Sequence, residues 1–431
     1  MSTSAKTVAV IGLGYVGLPL ALLADKKGYD VIGIDLDKEK VRLINEKKAP
    51  IIETFITENI KNSKVKAQTL PNEPNQLSDA DIILICVPTP VIGRTPNLKP
   101  LKGAAESIAP HLKKGALVVV ESTINPGVCD DVVIPILEAA SGGRDGTDFY
   151  VAHCPERVSP GDSEWTVANI NRVVGSNSKK GLDLALELYN HIIDADIKPM
   201  ATIKEAEAVK VVENSFRDVN IAFVNELAMS FHRMGINVEN VIDGAATKPF
   251  AFMPHRPGVG VGGHCIPVDP YYLIEYARGY GFDHDFLSLA RRINSHMPEF
   301  TTEILQTALN EAGLPMNGTK VAVLGLAYKP NVDDDRESPA YELIEHIDSH
   351  KADVTTFDPY VPQNSRAKSL DEALKDAKAV VIATAHKEFV SLKPADFKKR
   401  GVKVVVDGRN AFRGQREAFE KAGIVYQGIG A

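Results

Sequence analysis

The fold is decided by Val8–Asp35, VAVIGLGYVGLPLALLADKKGYDVIGID. An apolar run, Val8–Ile11, leads into Gly12-Leu-Gly14-Tyr15-Val16-Gly17, and a helical pattern follows from Leu18 to Lys27. This spacing predicts strand, glycine turn and helix, then a second strand over Asp30–Ile34 that ends on Asp35. Such a unit holds a dinucleotide for physical reasons. Gly12 makes the tight turn, Gly14 lets the backbone approach the pyrophosphate, and Gly17 lets helix and strand pack; Tyr15 and Val16 belong to the same phosphate-facing turn. Asp35 is placed to accept hydrogen bonds from the adenosine ribose. Its carboxylate repels a 2′-phosphate and no arginine follows it immediately, so NAD is expected rather than NADP.

Working outward, buried strands are expected at Ile82–Val87, Leu117–Val120 and Phe149–Ala152. Each ends in a polar or Pro-rich loop carrying Thr89, Thr123, or Glu156 with Arg157 and Val158. In an open parallel sheet ligands bind beyond the carboxyl ends of strands, where these side chains fall. From about Thr202 to Met234 the pattern is helical and free of proline and glycine. Its stripe Val209, Val212, Phe216, Val219, Phe223, Leu227 is apolar, and a second stripe turns apolar from Ile221 onward, which predicts a helix buried on most sides. Lys210, Asn214 and Arg217 share one face of it.

Pro257–Tyr272, PGVGVGGHCIPVDPYY, reads as a loop throughout, because glycines and prolines dissolve regular structure. It presents Cys265 behind Gly258, Gly260, Gly262 and Gly263. A nucleophile and a buried structural thiol both suit that loop, and the loop alone leaves both open. Beyond it, Val321–Leu324 runs into Gly325-Leu-Ala-Tyr-Lys329, then an acidic loop with Arg336 and a helix to about Ile347. Strands at Val354–Phe357, Ala379–Ala383 and Val402–Val406 follow, the last ending near Arg409. The chain therefore reads as two Rossmann-like, doubly wound parallel-sheet α/β domains bracketing a helical middle with one long helix. The second half lacks the full glycine fingerprint, so Lys329 and Arg409 are expected to supply charge for a phosphate.

Composition excludes several classes. A chain of 431 residues with 44% hydrophobic and 24% charged residues fills several cores, and a net charge of −7 with interspersed signs favours neither nucleic acid nor an anionic membrane. The four cysteines form no CxxC pair, which argues for a reducing cytoplasm. His153-Cys154 and His264-Cys265 lack metal-site spacing, so no metal is expected. The start, MSTSAKT, leads straight into the first strand, so neither signal peptide nor membrane anchor is expected.

With these residues assembled, the chain resembles the UDP-glucose/GDP-mannose dehydrogenase superfamily from end to end. The motifs are GLGYVGLP, ESTINPG, PERV, KVVENSFRDVN, GVGGHCIPVDPYY and DDDRESPA. The resemblance implies an NAD-dependent enzyme of polysaccharide precursor synthesis that oxidises the C6 alcohol of a nucleotide sugar to a carboxylate, as a homodimer built across the central helix. It implies Cys265 as nucleophile, with Lys210, Asn214 and Asp269 around the reacting carbon and Thr123 and Glu156 serving water and the thioester. Arg336 and Thr89 would reach the cofactor. Arg157, Val158, Arg217, Arg256, Gly262, Lys329 and Arg409, with Lys210 and Asn214, would bind the UDP-sugar. The implied domains are 1–200 for NAD, 201–312 for the helical middle with the Cys265 loop, and 313–431 for UDP. Val268, where UDP-glucose enzymes usually carry lysine, and Ala246–Phe250 resemble the branch acting on UDP-N-acetylhexosamines, UDP-GlcNAc ahead of UDP-ManNAc. A UDP-glucose 6-dehydrogenase, a two-electron β-hydroxyacid dehydrogenase and an NAD-sensing binding protein are the rivals. The β-hydroxyacid dehydrogenase has no use for a glycine-presented cysteine or a second nucleotide-type domain, and the complete Lys210, Asn214, Cys265, Asp269 set speaks against the NAD-sensing protein.

Overall fold

Strands that are apolar at every position can be buried on both faces, and each large sheet has such strands in its interior, Ile82–Ile85 and Leu117–Val120 in one and Ala379–Ile382 in the other. The structure, a computed structural model, describes residues 6–51, 53–69, 74–92, 95–158, 164–263 and 265–431. Met1–Ala5, the beginning of the N-terminal stretch read above, and His264, half of one discounted metal pair, lie outside them. The chain divides into two compact units, Met1–Glu213 with Tyr271–Gly281, and Asn214–Pro270 with Phe282–Ala431.

The first unit contains strands β1 (Thr7–Ile11), β2 (Asp30–Ile34), β3 (Lys66–Gln68), β4 (Ile82–Ile85), β5 (Leu117–Val120), β6 (Tyr150–His153), β7 (Arg172–Ser176) and β8 (Ile197–Pro199). Its helices include α1 (Gly17–Lys26), α2 (Ile134–Ser141) and α3 (Lys179–Ile192). The strands form one sheet in the order β8-β7-β6-β5-β4-β1-β2-β3. Val8, Leu84 and Val119 look into one apolar cluster, and Ala9, Ile83 and Val118 into another, so both faces are covered. Since β1 lies between β2 and β4, the winding reverses there, and ligands of such sheets bind beyond the strand ends at that switch.

Three details differ from the sequence reading. β4 stops at Ile85: the Cys86 N–H still bonds the Ile11 carbonyl at 2.8 Å, and the chain then turns away. β6 is shifted by one residue, to Tyr150–His153. β7 runs antiparallel to β6, because no helix forms between them among the described residues and a parallel return needs a crossover.

The second unit repeats the pattern. Strands β9 (Lys320–Leu324), β10 (Asp353–Phe357), β11 (Ala379–Ile382), β12 (Val404–Asp407) and β13 (Val425–Gly428) form a parallel sheet in the order β10-β9-β11-β12-β13. Gly325 after β9 matches Gly12 after β1, with φ of +97° and +93°. Their N–H groups bond Phe357 and Ile34 carbonyls at 2.9 and 2.7 Å. Both halves thus carry the nucleotide-type α/β fold.

The helical middle is α4 (Ile203–Met234), α5 (Asp269–Arg278) and α6 (Asp285–Glu311), and α7 (Pro339–Ser349) follows β9. α5 corrects the reading of Pro257–Tyr272 as loop throughout, since helix begins at Asp269. Pro270 is tolerated in its first turn, where a missing N–H leaves no bond unmade. α4 corrects a second expectation. Its apolar stripe is only partly covered by the described residues: Val209, Val219 and Leu227 are half-buried, but Val212, Phe216 and Phe223 are 54%, 50% and 52% exposed. No helix among the described residues is long and apolar enough to cross a membrane.

Glu207, wholly buried on α4, ties that helix to the ESTINPG loop. Its carboxylate accepts the N–H groups of Gly127 at 2.5 Å and Cys129 at 2.8 Å, at the start of the turn that leads into α2. Burial pushes its carboxyl up to about 7, against the pull of those two amides. Between the ordinary value of 4.5 and about 7 the folded chain holds a proton that the unfolded chain has lost. The contribution is therefore full below that window and lost as pH rises through it. Glu207→Gln should make the melting temperature fall less steeply with pH across this window; the similarly raised Glu121 acts in the same direction and buried His153, lowered to about 3, in the opposite one. The substitution should also lower stability by about 1–3 kcal/mol, because a glutamine oxygen serves the two amides less well. Thermal melts at intervals from pH 4 to pH 8 check both, and an unchanged slope would refute the assignment.

Candidate functional site

The glycine turn after β1 separates three demands. A Cβ on Gly17 would stand 1.9 Å from the Gly12 carbonyl oxygen, and one on Gly12 would stand 2.6 Å from that of Cys86. A Cβ on Gly14 would meet no protein atom within 4 Å. Gly12 and Gly17 are therefore glycine because the protein packs there, and Gly14 faces open space, which is what a pyrophosphate approaching the backbone requires. Tyr15 is exposed and Val16 half-buried in the same turn. Asp35 accepts the Leu13 N–H at 2.8 Å and the Lys40 ammonium at 2.9 Å. Burial pushes the Asp35 carboxyl up, but Lys40 and the amides of Asp37 and Leu13 outweigh it and hold it below its ordinary value. These residues fit a dinucleotide.

In the same unit the loops after β4, β5 and β6 are linked. The Thr89 hydroxyl donates to the Thr123 carbonyl at 2.6 Å, and the Tyr272 hydroxyl donates to the Thr89 carbonyl. Glu156, 8% exposed, accepts the amides of Arg157 and Val158 at 2.6 and 2.7 Å. Arg157 forks onto Glu213, so its guanidinium already has an anion. Lys210 is buried on α4 and pairs with no carboxylate among the described residues. His153 stays neutral, burial pulling its pKa down to about 3.

In the second unit Cys265 is half-buried, and its carbonyl accepts the N–H groups of Val268 at 3.0 Å and Asp269 at 2.8 Å. Asp269, 2% exposed, takes the Asn214 amide at 2.5 Å. The glycines before Cys265 answer to the protein itself. A Cβ on Gly262 would lie 2.7 Å from the Glu337 carbonyl oxygen, and one on Gly258 would lie 2.6 Å from Arg409 Nη1. Gly263 N–H bonds the Arg336 carbonyl at 3.1 Å. The Arg336 guanidinium is raised in pKa first by its Asp334 hydrogen bonds, with Cys265 among the charges that act on it.

The candidate cations of this unit differ in their partners. Arg256 is held by Glu239 at 2.6 Å and Asp243 at 2.5 Å, and Arg217 is exposed on α4. Arg409, after β12, donates from Nε to the Ala383 carbonyl at 2.9 Å and pairs with no carboxylate among the described residues. Burial pulls its pKa down to about 10. Lys329 is half-buried in the loop after β9.

Sequence reasoning missed the groups that hold these loops. Asp358, buried at the end of β10, accepts the amides of Leu326 and Ala327 at 2.6 and 2.8 Å and the His386 ring at 2.9 Å. The second nitrogen of His386 accepts the Asn331 N–H at 2.8 Å, which fixes the loop bearing Lys329 from both ends. Aligning the two halves would have found Asp358, which stands where Asp35 stands. Asn225 takes the Gly258 N–H at 3.0 Å and is itself tied to Asn294, which bonds Asp218 at 2.8 Å. No spacing announces that network, because its members come from separate helices and a loop.

Comparison with known proteins covers the whole chain. Models of the UDP-glucose/GDP-mannose dehydrogenase family match in order: the NAD binding domain over residues 6–193, the central domain over 204–296 and the UDP binding domain over 322–414. A UDP-N-acetyl-D-mannosamine dehydrogenase of Pyrococcus horikoshii is 40% identical over 428 residues, covering 98% of this chain and 99% of that protein. A UDP-N-acetyl-D-glucosamine 6-dehydrogenase of Pseudomonas aeruginosa is 36% identical, covering 91% and 94%. The solved structure of a UDP-D-ManNAc dehydrogenase from Pyrococcus horikoshii superposes with a TM-score of 0.91 at 39% identity, covering 99% of each chain.

The three glycines should part company under substitution. Gly14→Ala should keep the parent melting temperature, shifting stability by less than about 1 kcal/mol, yet weaken NAD binding at least about tenfold. Gly17→Ala should destabilise the unit by several times that amount. Calorimetric titration with NAD beside thermal melts checks this, and parent-like NAD affinity in Gly14→Ala would refute the reading.

Proposed function

Because the chain belongs to the UDP-glucose/GDP-mannose dehydrogenase family, we propose that it oxidises the C6 alcohol of a UDP-N-acetylhexosamine to the carboxylate with two NAD per sugar. The observation that carries the mechanism is the Asn214–Asp269 bond, held at the foot of the loop that bears Cys265. Support for the acetamido class comes from Val268, from Ala246–Phe250 and from relatives of both sugar names at 40% and 36% identity. In this reading UDP-GlcNAc is taken ahead of UDP-ManNAc.

NAD would be held by the Gly12–Gly17 turn, Asp35 and the loop residues Thr89 and Thr123, with Arg336 contributing; residues 1–200 form its domain. When bound, it accepts hydride at each of the two oxidations and supplies no other chemistry. Asp269, or water it holds, takes the hydroxyl proton, and Lys210 with Asn214 stabilises the oxygen as charge develops on it. The Cys265 thiolate then adds to the aldehyde carbon, and the carbonyl oxygen gains a proton to give a thiohemiacetal. Loss of a second hydride from that carbon and of the hydroxyl proton leaves a thioester on Cys265. Water adds to its carbonyl carbon as Glu156 takes a proton, the carbon–sulfur bond breaks, and the thiolate departs. Lys329 and Arg409, in the UDP domain proposed at 313–431, would meet the phosphates. Arg409 suits this role because no carboxylate among the described residues pairs with it, whereas Arg157 and Arg256 would first have to leave theirs.

Purified protein given a panel of UDP-sugars should release two NADH per acetamido sugar, with higher kcat/KM than on UDP-glucose. Cys265→Ala should bind NAD and UDP-sugar like the parent while acid formation falls about a thousandfold or more. A preference for UDP-glucose would move the substrate to that sugar, and a ratio of one NADH per sugar would overturn the four-electron mechanism.

The uncovered stripe of α4 supports a homodimer built across that helix. Three large apolar side chains, Val212, Phe216 and Phe223, about half exposed on one face are more than a solvated helix keeps without a partner. Light scattering should give a dimer for the parent and a monomer for Phe223→Arg; a parent monomer would remove the proposal.

A further inference from the structure

Arg172, at the start of β7, is wholly buried between two carboxylates. Its Nη1 reaches Glu121 at 2.9 Å and its Nη2 reaches Glu156 at 2.5 Å. Tyr189, on α3, donates its hydroxyl to the other oxygen of Glu121, and Arg172 Nε has no partner. Burial pushes the Glu121 carboxyl up to about 7 even beside Arg172. Such a triad adds little to stability, since desolvating three charges offsets their attraction, and apolar groups of equal volume commonly serve as well. Packing alone gives no reason to keep it.

The outlet of the triad is Glu156. A carboxylate offers about four acceptor sites. On Glu156 the amides of Arg157 and Val158 occupy Oε1 and Arg172 occupies one side of Oε2, which leaves one site and a fixed orientation. We propose that Arg172 is the positioning residue that turns the remaining acceptor site of Glu156 toward the hydrolytic water, with Glu121 and Tyr189 holding the guanidinium in that pose. This rests on the reading that Glu156 serves hydrolysis of the Cys265 thioester. Lysine cannot replace it, because an ammonium lacks the planar fork that spans both carboxylates.

The test compares Arg172→Lys, Glu121→Gln and Glu156→Gln in the full chain, by steady-state kinetics and by intact mass of enzyme acid-quenched during turnover. Arg172→Lys should keep both KM values while kcat falls about a hundredfold, the scale of a misplaced catalytic group. A covalent acyl adduct should accumulate on Cys265 after a burst of two NADH per site. Glu121→Gln, which keeps the Arg172–Glu156 bond but loosens its anchor, should show a milder form of the same pattern and decides the matter if Arg172→Lys does not fold. Parent kcat in a folded variant, or a lower kcat without adduct, assigns Arg172 to the framework alone and overturns the proposal. Glu156→Gln separates the premise: if it turns over normally with no adduct, the role of Glu156 itself is wrong. If it accumulates adduct and Arg172→Lys does not, only the positioning role fails.

Discussion

A turn that must expose its backbone to a phosphate cannot also secure itself with side chains, so something outside it has to hold its amides. In both halves of this chain that holder is a carboxylate at the end of the neighbouring strand. Asp35 takes the Leu13 N–H after β1, and Asp358 takes those of Leu326 and Ala327 after β9. The glycine conformations beside that bond match as well, Gly12 and Gly325 both taking a positive φ. The halves then diverge in what the carboxylate does with its remaining capacity. Asp358 is sealed against His386 with both side chains wholly buried, and its pKa falls to about 2 because the His386 bond and the Leu326 and Ala327 amides outweigh burial. Asp35 stays at the edge, with 11% of its side chain exposed. One is committed to structure, and the other stays partly open, as the ribose contact proposed for it requires.

The Cys265 loop is a second case of backbone pressed against the chain's own atoms. Its glycines are dictated by Glu337, Tyr328 and Arg409 rather than by the bulk of a ligand, and Asn225 fixes where the loop begins. That arrangement couples the thiol's position to the loops after β9 and β12, the same ones that carry Lys329, Arg336 and Arg409. The thiol proposed as nucleophile and the candidate phosphate cations are thereby set in one neighbourhood of the second unit.

Most of the architecture was legible because it is written in local pattern. The four-residue apolar runs of β4 and β5 announce strands buried on both faces, and glycine positions announce the turn after β1. The reading failed where tertiary context decides. Pro270 looks like a helix breaker in isolation, yet it sits in the first turn of α5. The apolar stripe of α4 reads as buried, since composition gives no hint whether the cover comes from the same chain. The residues proposed for the chemistry, Cys265, Lys210, Asn214 and Asp269, can be named from the sequence. Their supports cannot, because Arg172, Glu121, Tyr189 and His386 meet their partners only after strands and helices pack.

Lys40 gives Asp35 a consequence beyond the ribose contact proposed for it. The carboxylate and the ammonium form a neutral pair at the mouth of the glycine turn, so the repulsion felt by a 2′-phosphate is partly masked already, and the cation that would welcome such a phosphate is in place. The choice between NAD and a 2′-phosphorylated coenzyme proposed for this turn thus rests on a single acidic side chain set over a standing positive charge. Removing that acid alone would leave the Lys40 ammonium without its carboxylate, a cation open to a phosphate.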